Sequence, residues 1–330
     1  MKLELRDIKK SFEDKEILHG ISFSVESGKA LGLLGRNGAG KTTTIRIIMD
    51  VFHANAGEIL LDGTKFVPDG SQVGYLPEER GLYPKKIVKE QMIYLAMLRG
   101  MNKKQAAEST MKWLEKLEVL EYADRKLETL SKGNQQKVQL AATLVGEPSI
   151  VILDEPFSGL DPVNSQILKN VIRELISEGR IVIFSSHQMS YVEEFCEDIV
   201  IINHGENILS GHLDDIKMEY GKGRKILAAE NYSLDELKKV CETKLSDYVE
   251  VLGVNKYDVI LSVKEGVDQW KLLDAIKSCD IGIKHFGAYE PSLNDIFVSC
   301  VGEEEVVKVV EEEEPENKSK KRGLFGKAGK

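Results

Sequence analysis

Gly35-Arg36-Asn37-Gly38-Ala39-Gly40-Lys41-Thr42-Thr43 follows an apolar strand pattern, Ala30 to Leu34, and precedes a helical one carrying Ile45, Ile47 and Ile48. The stretch matches G-x-x-x-x-G-K-[ST], and strand–loop–helix is the context in which that spacing has a mechanism. Gly35, Gly38 and Gly40 let the backbone turn tightly and aim N–H groups inward at a polyphosphate. A helix beginning near Lys41 adds the positive end of its dipole. Lys41 is expected to reach the β- and γ-phosphates, and the Thr42 hydroxyl to ligate Mg2+.

Three further segments follow in order. Ser149 to Asp154 is a continuous apolar run, as in a buried strand of a parallel sheet, and ends on Asp154-Glu155. Open α/β sheets bind ligands at the carboxyl ends of their strands. There Asp154 is expected to hold Mg2+ through water and Glu155 to polarise the attacking water as general base. Ile181 to Phe184 is a second such run, followed by Ser185-Ser186-His187, which puts an imidazole where it can hydrogen-bond a γ-phosphate. Between the P-loop and Ser149, Leu130-Ser131-Lys132-Gly133-Asn134-Gln135-Gln136 opens an amphipathic helix with Val138, Ala141 and Val145 on one side. Ser131 suits an N-cap and Gly133 leaves amides accessible, so this element reads as a second phosphate clamp.

At this point residues 1–215 resemble the nucleotide-binding cassette of an ATP-binding cassette (ABC) transporter. The resemblance rests on the P-loop at 35–43, Leu130 to Asn134 as the signature, Ile150 to Glu155 as the Walker B strand, Ser158-Gly159-Leu160-Asp161 as the D-loop and His187 as the switch histidine. It implies ATP and Mg2+ as ligands and a second cassette, identical or different, facing the first head to tail. Ser131 and Gly133 would then act across that interface, and a monomer would hydrolyse poorly. Phe12 resembles the aromatic that stacks on adenine. The implied fold is α/β: a P-loop NTPase cassette with a parallel core sheet, an antiparallel β layer and a helical subdomain.

Three positions depart from the family pattern. Lys132 stands for the first Gly of Leu-Ser-Gly-Gly-Gln, and Asn134 for its Gln. Glu78, in Gly74-Tyr75-Leu76-Pro77-Glu78-Glu79-Arg80, stands where Gln is expected. A carboxylate is a harder Mg2+ ligand than an amide oxygen and repels a γ-phosphate. Glu78 is therefore expected beside Thr42 and Asp154 at the metal.

A chain of 330 residues is expected to hold two domains. The net charge of −9 argues against nucleic acid as the main partner. No apolar run approaches the length of a membrane span. Met1-Lys2-Leu3-Glu4-Leu5-Arg6 alternates as a strand does, unlike a signal peptide. Cys196, Cys241, Cys279 and Cys300 lack metal-type spacing and read as reduced cytosolic thiols.

Leu3, Leu5, Ile21, Phe23 and Val25 alternate as an antiparallel layer would. A helical subdomain is expected over about 84–145, with Ile87, Gln91, Leu95, Leu98, Met111, Leu114 and Leu117 at helical spacing. Leu82 and Tyr83 either pack it or, as the resemblance implies, meet a permease. Pro162 opens a helix whose apolar stripe runs from Ile167 to Ile176 and which Gly179 ends. Residues 216–222, with Gly221, read as a linker. From 223 to 302 the order is β-α-β-β-α-β and a last helix, a small α+β ferredoxin-like domain with Trp270 in its core. Residues 303–316 carry eight Glu against Lys308, whereas 318–330 carry six basic residues, so 303–330 is expected as a solvated, disordered tail.

The expected function is an ATPase subunit energising transport through a separate permease, in the export direction, although importers share every motif above. The chain would sit in the cytoplasm, peripheral on the inner face of the cell membrane, touching membrane through the permease and no nucleic acid. The alternative is a soluble ABC ATPase working on ribosomes or DNA; only 90 positions separate Lys41 from Ser131, too few for the long coiled-coil insert of such proteins. A P-loop kinase would have no use for the signature or the switch histidine.

Overall fold

The computed structural model describes residues 1–13, 15–68, 71–79 and 81–302. β1 (Lys2–Phe12) and β2 (Lys15–Glu26) form an antiparallel hairpin. β3 (Ala30–Leu34) leads through the P-loop into α1 (Lys41–Ile48). β4 (Ala56–Leu61), β5 (Thr64–Lys65) and β6 (Val73–Leu76) come next. α2 (Val88–Leu98), α3 (Lys103–Lys116) and α4 (Lys132–Leu144) make the helical part. β7 (Ile150–Asp154), α5 (Pro162–Ser177), β8 (Ile181–Ser185) and α6 (Met189–Phe195) then alternate. The hairpin of β9 (Asp198–Asn203) and β10 (Glu206–His212) closes that layer.

The core sheet runs β10-β9-β3-β8-β7-β6, with every pair parallel except β9–β10. All five residues of β3, β7 and β8 are buried, which is why each reads as an unbroken apolar run. Alternate side chains serve opposite faces. Ile150, Ile152, Ile181 and Ile183 meet α1 and the antiparallel layer β2-β1-β4-β5. Val151, Leu153, Val182 and Phe184 meet the helices on the other side.

In the helical part Val88, Met92, Trp113 and Leu114 are buried. Leu98 and Met111, expected on the buried stripe, are instead 65% and 43% exposed. The indole of Trp113 is buried, its Nε1 donating to Glu147 Oε1 at 3.1 Å. Leu82 packs inward while its neighbour Tyr83 stands 70% exposed.

The segment expected as a linker, 216–222, is almost wholly helical. α7 (Leu213–Gly221) buries Leu213 and Ile216, and these two apolar anchors outweigh the breaker tendency of Gly221. Gly221 is needed there because a Cβ would meet the Tyr289 carbonyl oxygen at 2.5 Å.

β11 (Arg224–Ala229), α8 (Leu234–Lys244), β12 (Val249–Val254), β13 (Val259–Val263), α9 (Gln269–Ser278) and β14 (Ile283–Ala288) follow. Their sheet order, β12-β13-β11-β14, is antiparallel throughout, the ferredoxin-like arrangement. Trp270 departs from expectation: it is 75% exposed. Asp268 caps α9 and fixes its phase so that Leu272, Ala275 and Ile276 face the sheet instead.

α10 (Leu293–Val301) also departs, because it leaves the ferredoxin-like unit. Leu293 and Ile296 are fully buried with Val192, Phe195 and Cys196 of the cassette and with Leu213 and Ile216 of α7. The ferredoxin-like strands and helices are thus inserted between two helices that both pack on the cassette. The charged stretch 303–330 lies outside the described residues, as does Arg80.

Candidate functional site

The site forms where β3, β7 and β8 end side by side. Parallel pairing sets Asp154 opposite Ser185, and Leu33 opposite Ser185 on the other side of β8. The P-loop leaves β3 at Gly35, where a Cβ would strike the Ile202 carbonyl oxygen at 2.3 Å. No side chain larger than hydrogen fits, so the loop can lie flat on the end of β9. Gly40 caps α1, and the amides of its first turn open toward the loop. Nothing lies within 4 Å of where a Cβ of Gly38 would stand, so the crest of the loop is an open cradle.

Lys41 curls back over this loop. Its Nζ donates to the carbonyls of Gly35 at 2.5 Å and Arg36 at 3.1 Å. Burial pulls its pKa below the ordinary lysine value, against the attraction of Asp154, Glu155 and Glu78. Two carbonyl dipoles are modest partners for a desolvated ammonium, and a polyphosphate anion is a stronger one.

Burial raises the Asp154 carboxyl above its ordinary value; the Ser185 hydroxyl and Lys41 oppose this, and Glu155 and Glu78 add to it. Ser185 Oγ is buried and lies near Asp154 without meeting the geometry of a hydrogen bond. The Tyr75 hydroxyl reaches Asp154 Oδ2 at 3.3 Å, and burial, then the carboxylate, push this phenol up to about 12. Among the described residues no group of three or more His, Cys, Asp or Glu could hold a metal. Hard oxygen donors, an orphaned buried hydroxyl and an open phosphate cradle nevertheless fit Mg2+, which keeps waters and takes phosphate oxygens as ligands.

Glu155 departs from β7 with a left-handed backbone, φ +48°, and its N–H donates to the Ser185 carbonyl at 2.9 Å. That bend turns its carboxylate toward β8. Glu155 Oε1 accepts the backbone N–H of His187 at 2.7 Å and lies 2.7 Å from its Nδ1. Oε2 accepts the Ser186 hydroxyl at 2.9 Å. The carboxylate is buried, while the His187 ring is 71% exposed and free to face a ligand.

Ser131, Gly133 and Phe12 are not in hydrogen-bond contact with this cluster, whereas Glu78 bears electrostatically on Lys41 and Asp154. Ser131 caps α4, its Oγ accepting the Asn134 N–H at 3.2 Å. The nearest neighbours of a Cβ on Gly133 would be Asn164 of α5 and Leu160 of the D-loop. Phe12 is 39% exposed and meets Phe52 edge to face at 5.1 Å, with Lys10 Nζ 5.0 Å above its ring. Thr42 and Glu78 are exposed near the cradle. Tyr75, Ser186 and Phe52 carry no role in the motif reading. The pair of hydroxyls ending the β8 run and the phenol three positions before Glu78 were the available signals.

Comparisons with known proteins identify the family. The family profile described as ABC transporter matches residues 18–158. A second, described as the C-terminal domain of DrrA1-3-like ATP-binding proteins, matches 211–301. An uncharacterized ABC transporter ATP-binding protein of Bacillus subtilis, YhaQ, is 38% identical over 313 residues, covering 91% of this chain and 98% of the relative. Nod factor export ATP-binding protein I of Burkholderia lata is 35% identical over 215 residues, 63% of this chain and 70% of the relative. A solved ATP-binding subunit of an ABC transporter superposes with a TM-score of 0.62 at 29% identity, covering 72% of this chain and 98% of that one. Its P-loop cassette, its ferredoxin-like unit and its likeness to YhaQ along nearly the whole chain make this protein a member of the ABC transporter ATP-binding family, whose cassettes are ATPases.

Proposed function

We propose that this chain hydrolyses ATP to drive export through a separate integral-membrane permease, working as one of two facing cassettes. The observation that carries the reading is the convergence of Lys41, Asp154, Glu155 and His187 at the ends of neighbouring parallel strands. Export is supported by the kinship to the Nod factor export protein. Among the described residues no helix is long and apolar enough to cross a membrane. The chain would work on the cytoplasmic face, held there by the permease.

In this reading Phe12 stacks on adenine, and the amides of 35–43 with Lys41 hold the phosphates. Thr42, Asp154 and Glu78 are the residues that would hold Mg2+, which when bound would supply charge neutralisation of the phosphates. Glu155 takes a proton from the attacking water, and its hydrogen bonds to Ser186 and His187 orient it for that. His187 presents its exposed ring edge to the terminal phosphate. Ser131 and Gly133 contact the nucleotide of the opposing cassette, with the α4 N-terminus behind them.

Glu155→Gln tests the reading. The variant should lose about 10²–10⁴-fold in turnover, the range for removing a general base, and should dimerise in MgATP. The native chain should co-purify from membranes with an integral protein. A variant that stays monomeric in MgATP, together with a native chain recovered only with ribosomes or nucleoid, would overturn the proposal.

A further inference from the structure

We propose that Ser186 is the positioning residue for Glu155: its hydroxyl, pinned by the start of α6, fixes the orientation of the carboxylate. This rests on Glu155 acting as the general base.

Ser186 is 2% exposed. Its Oγ donates to Glu155 Oε2 at 2.9 Å and accepts the backbone N–H of Gln188 at 3.1 Å. An amide N–H can only donate, so it occupies a lone pair of the hydroxyl and leaves the single hydroxyl proton for the carboxylate. The direction of the bond is thereby set. Gln188 is the N-cap residue of α6, so the helix that follows the switch histidine anchors the hydroxyl.

The other side-chain contact of Glu155 has a different character. His187 is the exposed partner and the one placed to meet a ligand. When its ring turns to a phosphate, the Nδ1 contact is strained or lost. Ser186 has no such second task, and its bond persists while His187 moves. Left-handed backbone at Glu155 gives the side chain an exit direction that the strand itself does not support. A constant, buried side-chain donor on Oε2, beside the His187 backbone N–H on Oε1, is then what holds the carboxylate in one orientation when the imidazole leaves.

The experiment uses the full chain with Ser186→Ala, Ser186→Gly and Ser186→Thr. Steady-state MgATP hydrolysis is paired with equilibrium binding of a fluorescent ATP analogue. Ser186→Ala should lower kcat about tenfold, in the range for losing one hydrogen bond to a charged group. KM and analogue affinity should stay within about twofold, since the buried hydroxyl is engaged with Glu155 and the Gln188 amide. Ser186→Thr should regain most of the lost kcat, and Ser186→Gly, which also lacks the hydroxyl, should behave as Ser186→Ala. Wild-type kcat in Ala and Gly overturns the inference, as does a loss carried by KM or a Thr variant no better than Ala. If Glu155→Gln itself turns over at the native rate, the base assignment fails; if Glu155→Gln is inactive and Ser186→Ala is not, only this inference fails.

Discussion

The carboxylate of Glu193 on α6 accepts the backbone N–H of Leu293 at 2.8 Å, joining residues one hundred positions apart. The same oxygen holds Lys217 Nζ of α7 at 2.6 Å. One acid therefore ties together the helix that follows the switch histidine and both helices that flank the ferredoxin-like unit. It also satisfies an amide in the first turn of α10 that has no partner inside the helix.

Glu193→Ala should lower stability by about 1–2 kcal/mol, the worth of one hydrogen bond to a charged group plus a partly exposed ion pair. Calorimetry should register this as a fall in Tm of roughly 2–8 °C. Amide exchange should quicken across 293–301 while β11 to β14 stay protected. An unchanged Tm with unchanged exchange in α10 would show that the apolar contacts alone hold the helix.

Asp154 should cost the nucleotide-free protein stability. Burial raises its pKa above the ordinary 3.8, so in the window above that value the folded chain binds the proton more readily than the unfolded chain. Stability then falls as pH rises through the window. Asp154→Asn should melt roughly 2–4 °C higher at pH 7, with the gap closing in acid. A lower Tm at pH 7 would contradict this.

Glu78→Gln should keep ATPase activity. Glu78 is one of the carboxylates bearing on both Lys41 and Asp154, and the amide removes its repulsion of a phosphate while retaining an oxygen donor. Turnover titrated against Mg2+ decides the matter. A variant that binds ATP but cannot hydrolyse it would give the carboxylate a catalytic duty.

Phe12→Ala should raise the KM for ATP about fivefold at unchanged kcat, since an aromatic stack contributes roughly 1 kcal/mol. Phe52→Ala should raise it less, because Phe52 supports the edge of Phe12 rather than the base. Equal KM in native and Phe12→Ala protein would remove Phe12 from the adenine site.

Native protein at pH 8 should alkylate at Cys279 and Cys300 and spare Cys196 and Cys241. The latter two are buried; burial pushes Cys241 up to about 12 and Cys196 higher still. Mass spectrometry after brief labelling reads the result directly, and modification of Cys241 in the folded chain would contradict it.

What could be read from the sequence follows from where the information lies. β3, β7 and β8 are buried on both faces, so their apolar runs announce them, and glycine spacing announces the loop between β3 and α1. The order of the ferredoxin-like elements was legible because caps such as Ser233 are local. Other features depend on partners far along the chain. Trp270 reads as a core residue in the sequence, yet the cap at Asp268 and the sheet beneath turn Leu272, Ala275 and Ile276 inward instead. α7 hides behind Gly221, because only tertiary burial of Leu213 and Ile216 makes that segment hold. The Ser186–Glu155 bond spans 31 positions and exists only because α5 returns the chain to lay β8 beside β7.

Since α7 and α10 both bury side chains in the larger unit, the ferredoxin-like module is grafted through two joints rather than hung from one. Exchanging it between relatives therefore demands matched seams at each. A recombinant ending near residue 222 would leave Val192, Phe195 and Cys196 bare where Leu293 and Ile296 now sit. Transplants that carry α10 along with the module keep that apolar surface sealed.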